Sequence, residues 1–189
     1  MNLSFLPNLL CVLRMLLVYP LALFIGEGRY ALVFPVFALA AFTDALDGFL
    51  AKQFDWTSEL GKHLDPLADK LLLVTMFVAM SMEGLVPWWL TSCVLLRDLT
   101  IISGAIAYRV LCGPLQGEPT KASKLNTLTQ ICFVLAVAAT AAYGWPAAWV
   151  ITALGAMVLV STCISGIDYV LTYSRRAAQS ARPRTLSSR

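Results

Sequence analysis

Residues 44–70 read DALDGFLAKQFDWTSELGKHLDPLADK, and four of their carboxylates fall into two pairs. Asp44 and Asp47 are three apart, and Asp65 and Asp69 are four apart. On helices each pair therefore lies on one face, a turn apart, and can share a cation. Long apolar runs adjoin both pairs, and an ionised carboxylate beside such a run is costly unless it has a partner. Taken singly, each acid could instead be a solvated loop residue or could pair with Lys52, Lys62 or Lys70. Four at this spacing, beside Gly48 and Gly61, point to a divalent metal. Ligands that are all oxygen favour a hard ion, Mg²⁺ or Mn²⁺, over zinc. Mg²⁺ held by few carboxylates completes its shell with water and substrate phosphate, which directs attention to phosphoryl chemistry.

The apolar runs decide the fold. With 59% hydrophobic residues and a mean hydropathy of +0.74, the 189-residue chain belongs in a bilayer. A spanning helix needs about 20 mostly apolar residues. Glycine, proline and charge mark off six such stretches, at 8–26, 30–50, 64–82, 87–110, 124–143 and 147–172. The expected fold is an all-α integral membrane bundle of six transmembrane helices over residues 1–173. A basic tail over 174–189, rich in Ser, Arg and Ala, is expected to be disordered and cytosolic. The N-terminus lacks the features of a cleavable signal peptide, since Arg14 interrupts its apolar run.

Lys and Arg in the connections orient the bundle. With a cytosolic N-terminus, the inner connections and tail hold Lys52, Lys62, Arg109, Lys121, Lys124, Arg175, Arg176, Arg182, Arg184 and Arg189, against Arg29 alone outside. The four-Asp stretch then faces the cytosol, as do both termini, in a bacterial inner membrane or its equivalent. The net charge of +3 forms no stripe with interleaved aromatics, so nucleic acid is not an expected partner. Five scattered cysteines without a C-x-x-C pair read as reduced apolar residues.

Charges inside the spans are candidates for function by default. Arg97 reads as a basic group that would attract a lipid phosphate near the metal site, against the alternative that Asp98 merely neutralises it. Arg14 is either functional or snorkels to the cytosolic surface. Asp168 reads as structural, with Arg175 within reach, and His63 as a solvated loop residue. The stretch 118–130, EPTKASKLNTLTQ, opens the fifth helix with Lys121, Lys124, Ser123, Asn126 and Thr127. Helix N-termini favour anions, so this start is either an anion pocket for a second substrate or positive-inside anchoring.

Asp44, Asp47, Gly48, Ala51, Gly61, Asp65 and Asp69 reproduce the spacing D-x2-D-G-x2-A-R-x8-G-x3-D-x3-D. That pattern resembles the signature of the CDP-alcohol phosphatidyltransferases, with Lys52 standing where the family has Arg. The opening LPNLLCVLR (6–14) is similar to the family's PN-L-L-x3-R start, with Cys11 in place of its usual Thr or Ser. The runs 95–111 and 118–130 look like the corresponding parts of the CMP-forming cardiolipin synthases. The likeness covers most of residues 6–135.

The resemblance implies six membrane helices, a homodimer and two divalent metal ions. It implies an enzyme that moves the phosphatidyl group of CDP-diacylglycerol to a glycerol-type anionic acceptor and releases CMP. It makes Asp44, Asp47 and Asp65 metal ligands, and Asp69 the base and a further ligand. Gly48, Ala51, Lys52 and Gly61 would meet the CDP moiety; Arg97, Lys121 and Lys124 would meet the acceptor phosphate. Phosphatidylglycerol, giving cardiolipin, is the favoured acceptor, and glycerol 3-phosphate, giving phosphatidylglycerophosphate, the alternative. Two distant rivals are weaker. A membrane prenyltransferase would carry its Asp motifs on distant helices of a longer chain. A cation or proton transporter would carry acids at mid-depth rather than at a margin beside glycines.

Overall fold

The computed structural model describes residues 6–54, 61–112 and 121–180, with side chains over 12–43, 70–106 and 122–172. The described residues form six helices and no strand: α1 (Leu6–Gly26), α2 (Tyr30–Phe54), α3 (Gly61–Met82), α4 (Trp88–Cys112), α5 (Lys121–Tyr143) and α6 (Ala148–Ser180). Each of the six expected spans falls on one of them. Helix α6 stays helical to Ser180, beyond the point where the sequence turns basic.

The ends of the helices follow local chemistry. Gly28, Gly84 and Gly144 adopt φ of 68°, 71° and 69°, a left-handed conformation that glycine reaches without a Cβ penalty. They close α1, α3 and α5, where Gly28 N–H bonds Ile25 O, Gly84 N–H bonds Ser81 O and Gly144 N–H bonds Thr140 O. Pro87 precedes α4 and its carbonyl accepts from Leu90 N–H, consistent with proline at a helix start. Pro20 and Pro35 lie inside α1 and α2, as membrane helices tolerate.

The helices pack as a ring in the order α3, α1, α2, α5, α6, α4. The closure of the ring between α4 and α3 is the sparsest of its contacts, and α3 also touches α5 across it. Apolar residues at three- and four-residue spacing point inward: Leu21 and Ile25, Val33 and Phe37, Leu73, Met76, Phe77 and Met80, Phe133 and Val137. Phe77 of α3 stacks on Phe133 of α5 with centroids 5.9 Å apart. The opposite faces present large apolar side chains outward, among them Leu16, Leu39, Leu99, Leu128 and Ile167. A water-soluble protein would not show so continuous an apolar exterior. Three helical segments, Trp88–Ile106, Ala122–Tyr143 and Ala148–Thr172, are long and apolar enough to cross a membrane. The described parts of the other three, Val12–Gly26, Tyr30–Thr43 and Lys70–Met82, are shorter apolar helices.

Lipid chains are as apolar as leucine, so helix association here depends on close packing and hydrogen bonds. At the α4–α6 contact a β-carbon on Gly104 would lie 2.9 Å from Cε1 of Tyr169. At the α5–α6 contact one on Gly155 would lie 3.4 Å from Cε2 of Phe133.

Candidate functional site

The four acids sit on the two helix ends joined by residues 55–60: Asp44 and Asp47 in the last part of α2, Asp65 and Asp69 in the first turns of α3. Gly48, Ala51 and Lys52 share that part of α2, and Gly61 opens α3. The side chains of all these residues, and of Lys121, lie outside the described ones; their helical register does not. Among the described residues no three His, Cys, Asp or Glu converge on a point.

Helical register relates two of the acids to residues that are described. A small cavity of about 20 Å³ is lined by Ala41 of α2, Leu72 and Leu73 of α3, Thr127 of α5 and the side chain of Arg14. Position 44 follows Ala41 by one turn, and position 69 precedes Leu72 and Leu73 by one turn. Positions three or four apart share a helix face, so positions 44 and 69 follow on, by helical register, from the α2 and α3 residues that line this cavity. Positions 47 and 65 extend the same two faces by a further turn.

Arg14 is 1% exposed. It therefore does not snorkel to a surface, which corrects that alternative: it is held in the ring's interior, beside Ala41, Leu72, Leu73 and Thr127. The sequence marks Arg14 as an intramembrane charge but not its direction, because direction depends on how α1 seats between α2 and α3.

A second polar assembly lies on the α4–α5–α6 side. Arg97, 8% exposed, donates from Nη1 to Asp98 Oδ1 at 2.7 Å. Its Nη2 donates to Ser123 Oγ at 2.9 Å and to Ser165 Oγ. One side chain on α4 thus ties the start of α5 to α6. Lys70 of α3 approaches the same Asp98 oxygen at 3.5 Å, so the assembly reaches the residue next to Asp69. Asp98 does neutralise Arg97 in part, as the sequence allows, yet two cations share its one carboxylate. Arg97 also lines an apolar groove of about 510 Å³ between α4 and α6, together with Leu96, Thr100, Cys163 and Ile167.

The start of α5 is more internally tied than its sequence implies. Ser123 receives Arg97, and Thr127 Oγ1 donates to the Ser123 carbonyl at 3.2 Å. Asn126 is fully buried, and its Oδ1 accepts from Ser161 and Thr162 of α6 at 2.9 Å each. Thr129 Oγ1 lies 2.9 Å from Ser161 Oγ in the same cluster. Ser123 and Asn126 thus tie α5 to α4 and α6, Thr127 bonds within α5, and Asn126 Nδ2 is left without a hydrogen-bond partner among the described residues. Lys124 is exposed and remains available to an anion. Lys70, Ser165, Ser161 and Thr162 are the participants that sequence reasoning left unassigned. Ser161 and Ser165 are spaced by one turn, a polar stripe in an apolar helix that could have signalled them. The described cysteines, Cys93, Cys132 and Cys163, are free thiols, as expected.

A family model described as CDP-alcohol phosphatidyltransferase matches residues 4–167. The chain is 33% identical over 173 residues to the probable phosphatidylglycerophosphate synthase of Mycobacterium tuberculosis (strain H37Rv), covering 87% of this chain and 79% of that protein. It is 32% identical over 189 residues to the CMP-forming cardiolipin synthase of Homo sapiens, covering 92% of this chain and 62% of that protein. It is 31% identical over 186 residues to the chloroplastic CDP-diacylglycerol--glycerol-3-phosphate 3-phosphatidyltransferase 1 of Oryza sativa subsp. japonica, covering 89% of this chain and 56% of that protein.

Proposed function

The chain belongs to the CDP-alcohol phosphatidyltransferase family, and from that premise we propose that it transfers the phosphatidyl group of CDP-diacylglycerol to phosphatidylglycerol, giving cardiolipin and CMP. The observation that carries the choice of acceptor is Arg97, a buried cation on the wall of the apolar groove between α4 and α6. A groove of that character suits an acceptor that brings acyl chains with its phosphate, and a guanidinium suits the phosphate. Glycerol 3-phosphate, giving phosphatidylglycerophosphate, is the second reading, since relatives with that activity in their names match over a similar length.

In this reading the acceptor hydroxyl oxygen forms a bond to the phosphatidyl phosphorus, and the bond from that phosphorus to the CMP oxygen breaks. The hydroxyl proton passes to Asp69, and CMP leaves with the electron pair. Asp44, Asp47 and Asp65, with Asp69 beside them, would hold a pair of Mg²⁺ or Mn²⁺ ions. Such ions neutralise diphosphate charge and stabilise the leaving oxygen. Gly48 and Gly61 leave room for the nucleotide near the backbone, Ala51 adds clearance, and Lys52 meets a phosphate as a compact charge. Lys121 and Lys124 supply further positive charge for the acceptor. The site opens to the cytosol on the grounds of the Lys and Arg asymmetry, and the enzyme works as a homodimer.

Purified protein is incubated with CDP-diacylglycerol, Mg²⁺ and each acceptor in turn, and the lipid product is read by mass. Cardiolipin formed only with phosphatidylglycerol is the expected result. Phosphatidylglycerophosphate formed rapidly, with no cardiolipin, replaces the first reading by the second. No CMP released with either acceptor removes both.

A further inference from the structure

We infer that Lys70 is a further substrate-binding residue, the second cation of a two-cation site that takes the phosphate of the acceptor alcohol. The inference rests on the transferase reading above and adds a residue and a location to it.

The argument begins with unspent hydrogen-bond donors. Lys70 Nζ is buried and has no hydrogen-bond partner among the described residues; its nearest described carboxylate oxygen is Asp98 Oδ1, at 3.5 Å, with the Arg97 cation on the same oxygen. That same oxygen already takes the shorter 2.7 Å bond from Arg97 Nη1. Arg97 spends Nη2 on Ser123 and Ser165, while its buried Nε also lacks a partner. Among the described residues, two cations and one carboxylate leave a formal excess of one positive charge in this cluster, with N–H groups on both cations still without acceptors. Burying a charged donor without an acceptor is unfavourable. A pair serving structure alone would close to bonding distance, as Arg97 and Asp98 do; Lys70 stands off from the shared oxygen with its protons unspent.

A phosphate supplies what the cluster lacks. It is anionic, and its oxygens accept several charge-assisted bonds at once. Asp98 keeps the two cations side by side without cancelling both. The position also suits the reaction, for Lys70 follows Asp69 directly on α3 and Arg97 sits across the sparse α3–α4 closure of the ring. A phosphate held between α3 and α4 at this level keeps the rest of a glycerol-type acceptor within a few bonds of the turn that carries Asp69. The phosphodiester of phosphatidylglycerol and the phosphomonoester of glycerol 3-phosphate share this chemistry.

The test uses the full chain in mixed micelles with CDP-diacylglycerol and Mg²⁺. KM is measured separately for phosphatidylglycerol and for glycerol 3-phosphate, alongside KM for CDP-diacylglycerol. Thermal stabilisation by inorganic phosphate, without nucleotide lipid, gives a readout independent of turnover. Lys70→Met is expected to raise the KM of the acceptor in use by about 10-fold or more, the scale of one lost charge-assisted bond. KM for CDP-diacylglycerol should stay within about twofold, stabilisation by phosphate should disappear, and Lys70→Arg should restore both properties in large part. An unchanged acceptor KM overturns the inference, as does a fall confined to kcat, which would make Lys70 a positioning residue for α3. If Lys70→Met does not fold, Lys70→Gln, which keeps a polar end in the buried position, is read by the same criteria. CMP release that is absent in the unaltered chain overturns the transferase reading instead, and leaves the phosphate-stabilisation result to decide the anion site alone.

Discussion

Tyr169 of α6 lays its ring against Gly104 of α4 so closely that a β-carbon at position 104 would stand 2.9 Å from Cε1. The ring is buried and cannot swing aside without opening the α4–α6 contact that Arg97 and Ser165 also make. Gly104→Ala is expected to destabilise the folded protein by about 1–3 kcal/mol, the usual cost of overpacking. Thermal unfolding in detergent measures it. The double mutant with Tyr169→Leu should recover most of the loss, because the two positions are coupled through one contact.

Asp47→Asn and Asp65→Asn each remove one charged ligand of the proposed metal site. Activity is expected to fall on the order of 10²-fold or more if metal-assisted charge stabilisation contributes several kcal/mol. The fold should survive, since crowded carboxylates repel. Chelation of divalent ions from the unaltered enzyme should abolish CMP release, and added Mg²⁺ should restore it. Near-normal turnover of either mutant at low Mg²⁺ would remove these acids from the metal site.

Asp69→Asn separates proton acceptance from binding. An amide cannot take the acceptor's proton, so transfer should be lost while CDP-diacylglycerol still binds, as followed by retention of a labelled nucleotide lipid. Parallel loss of binding would make Asp69 chiefly a metal ligand.

Lys124 is exposed at the start of α5, unlike Ser123 and Asn126 beside it, which are tied into the bundle. Lys124→Ala is expected to weaken acceptor binding by about 2- to 5-fold, the modest scale of a solvent-exposed charge, and to leave KM for CDP-diacylglycerol unchanged. Raising the ionic strength should shrink the difference between mutant and parent. A salt-independent difference would point to a packing defect rather than a lost charge.

The six helices were legible because each span is a long apolar run bounded by glycine, proline or charge; Gly28, Gly84 and Gly144 close three of them. The Asp pairs were legible because their spacing is that of helix faces. What lay beyond the sequence was which helices meet. Arg97 could be recognised as a charge in a span, but its bonds to Ser123 and Ser165 cross 26 and 68 residues of chain. Asn126 looked available to an anion from its place at a helix start, and it is instead turned to Ser161 and Thr162 of α6. Lys70 drew little attention among charges at a helix margin; its meaning depends on Asp98, which only the seating of α4 beside α3 brings near.

The three left-handed glycine turns have a mechanical consequence. Residues 27–29, 83–87 and 144–147 bind α1 to α2, α3 to α4 and α5 to α6 in short spans of chain, while the acid-bearing turns and the Lys70–Asp98–Arg97 cluster sit toward the opposite helix ends. At that rim α3 and α4 are joined directly; at the other rim no connection links them, since α3 is joined there to α2 and α4 to α5. The α3–α4 seam beside the Lys70–Asp98–Arg97 cluster is thus held by side chains rather than by a turn of chain, and among the described residues those contacts are few. The core around Phe77 and Phe133 lies apart from that seam, so a change at one need not disturb the other.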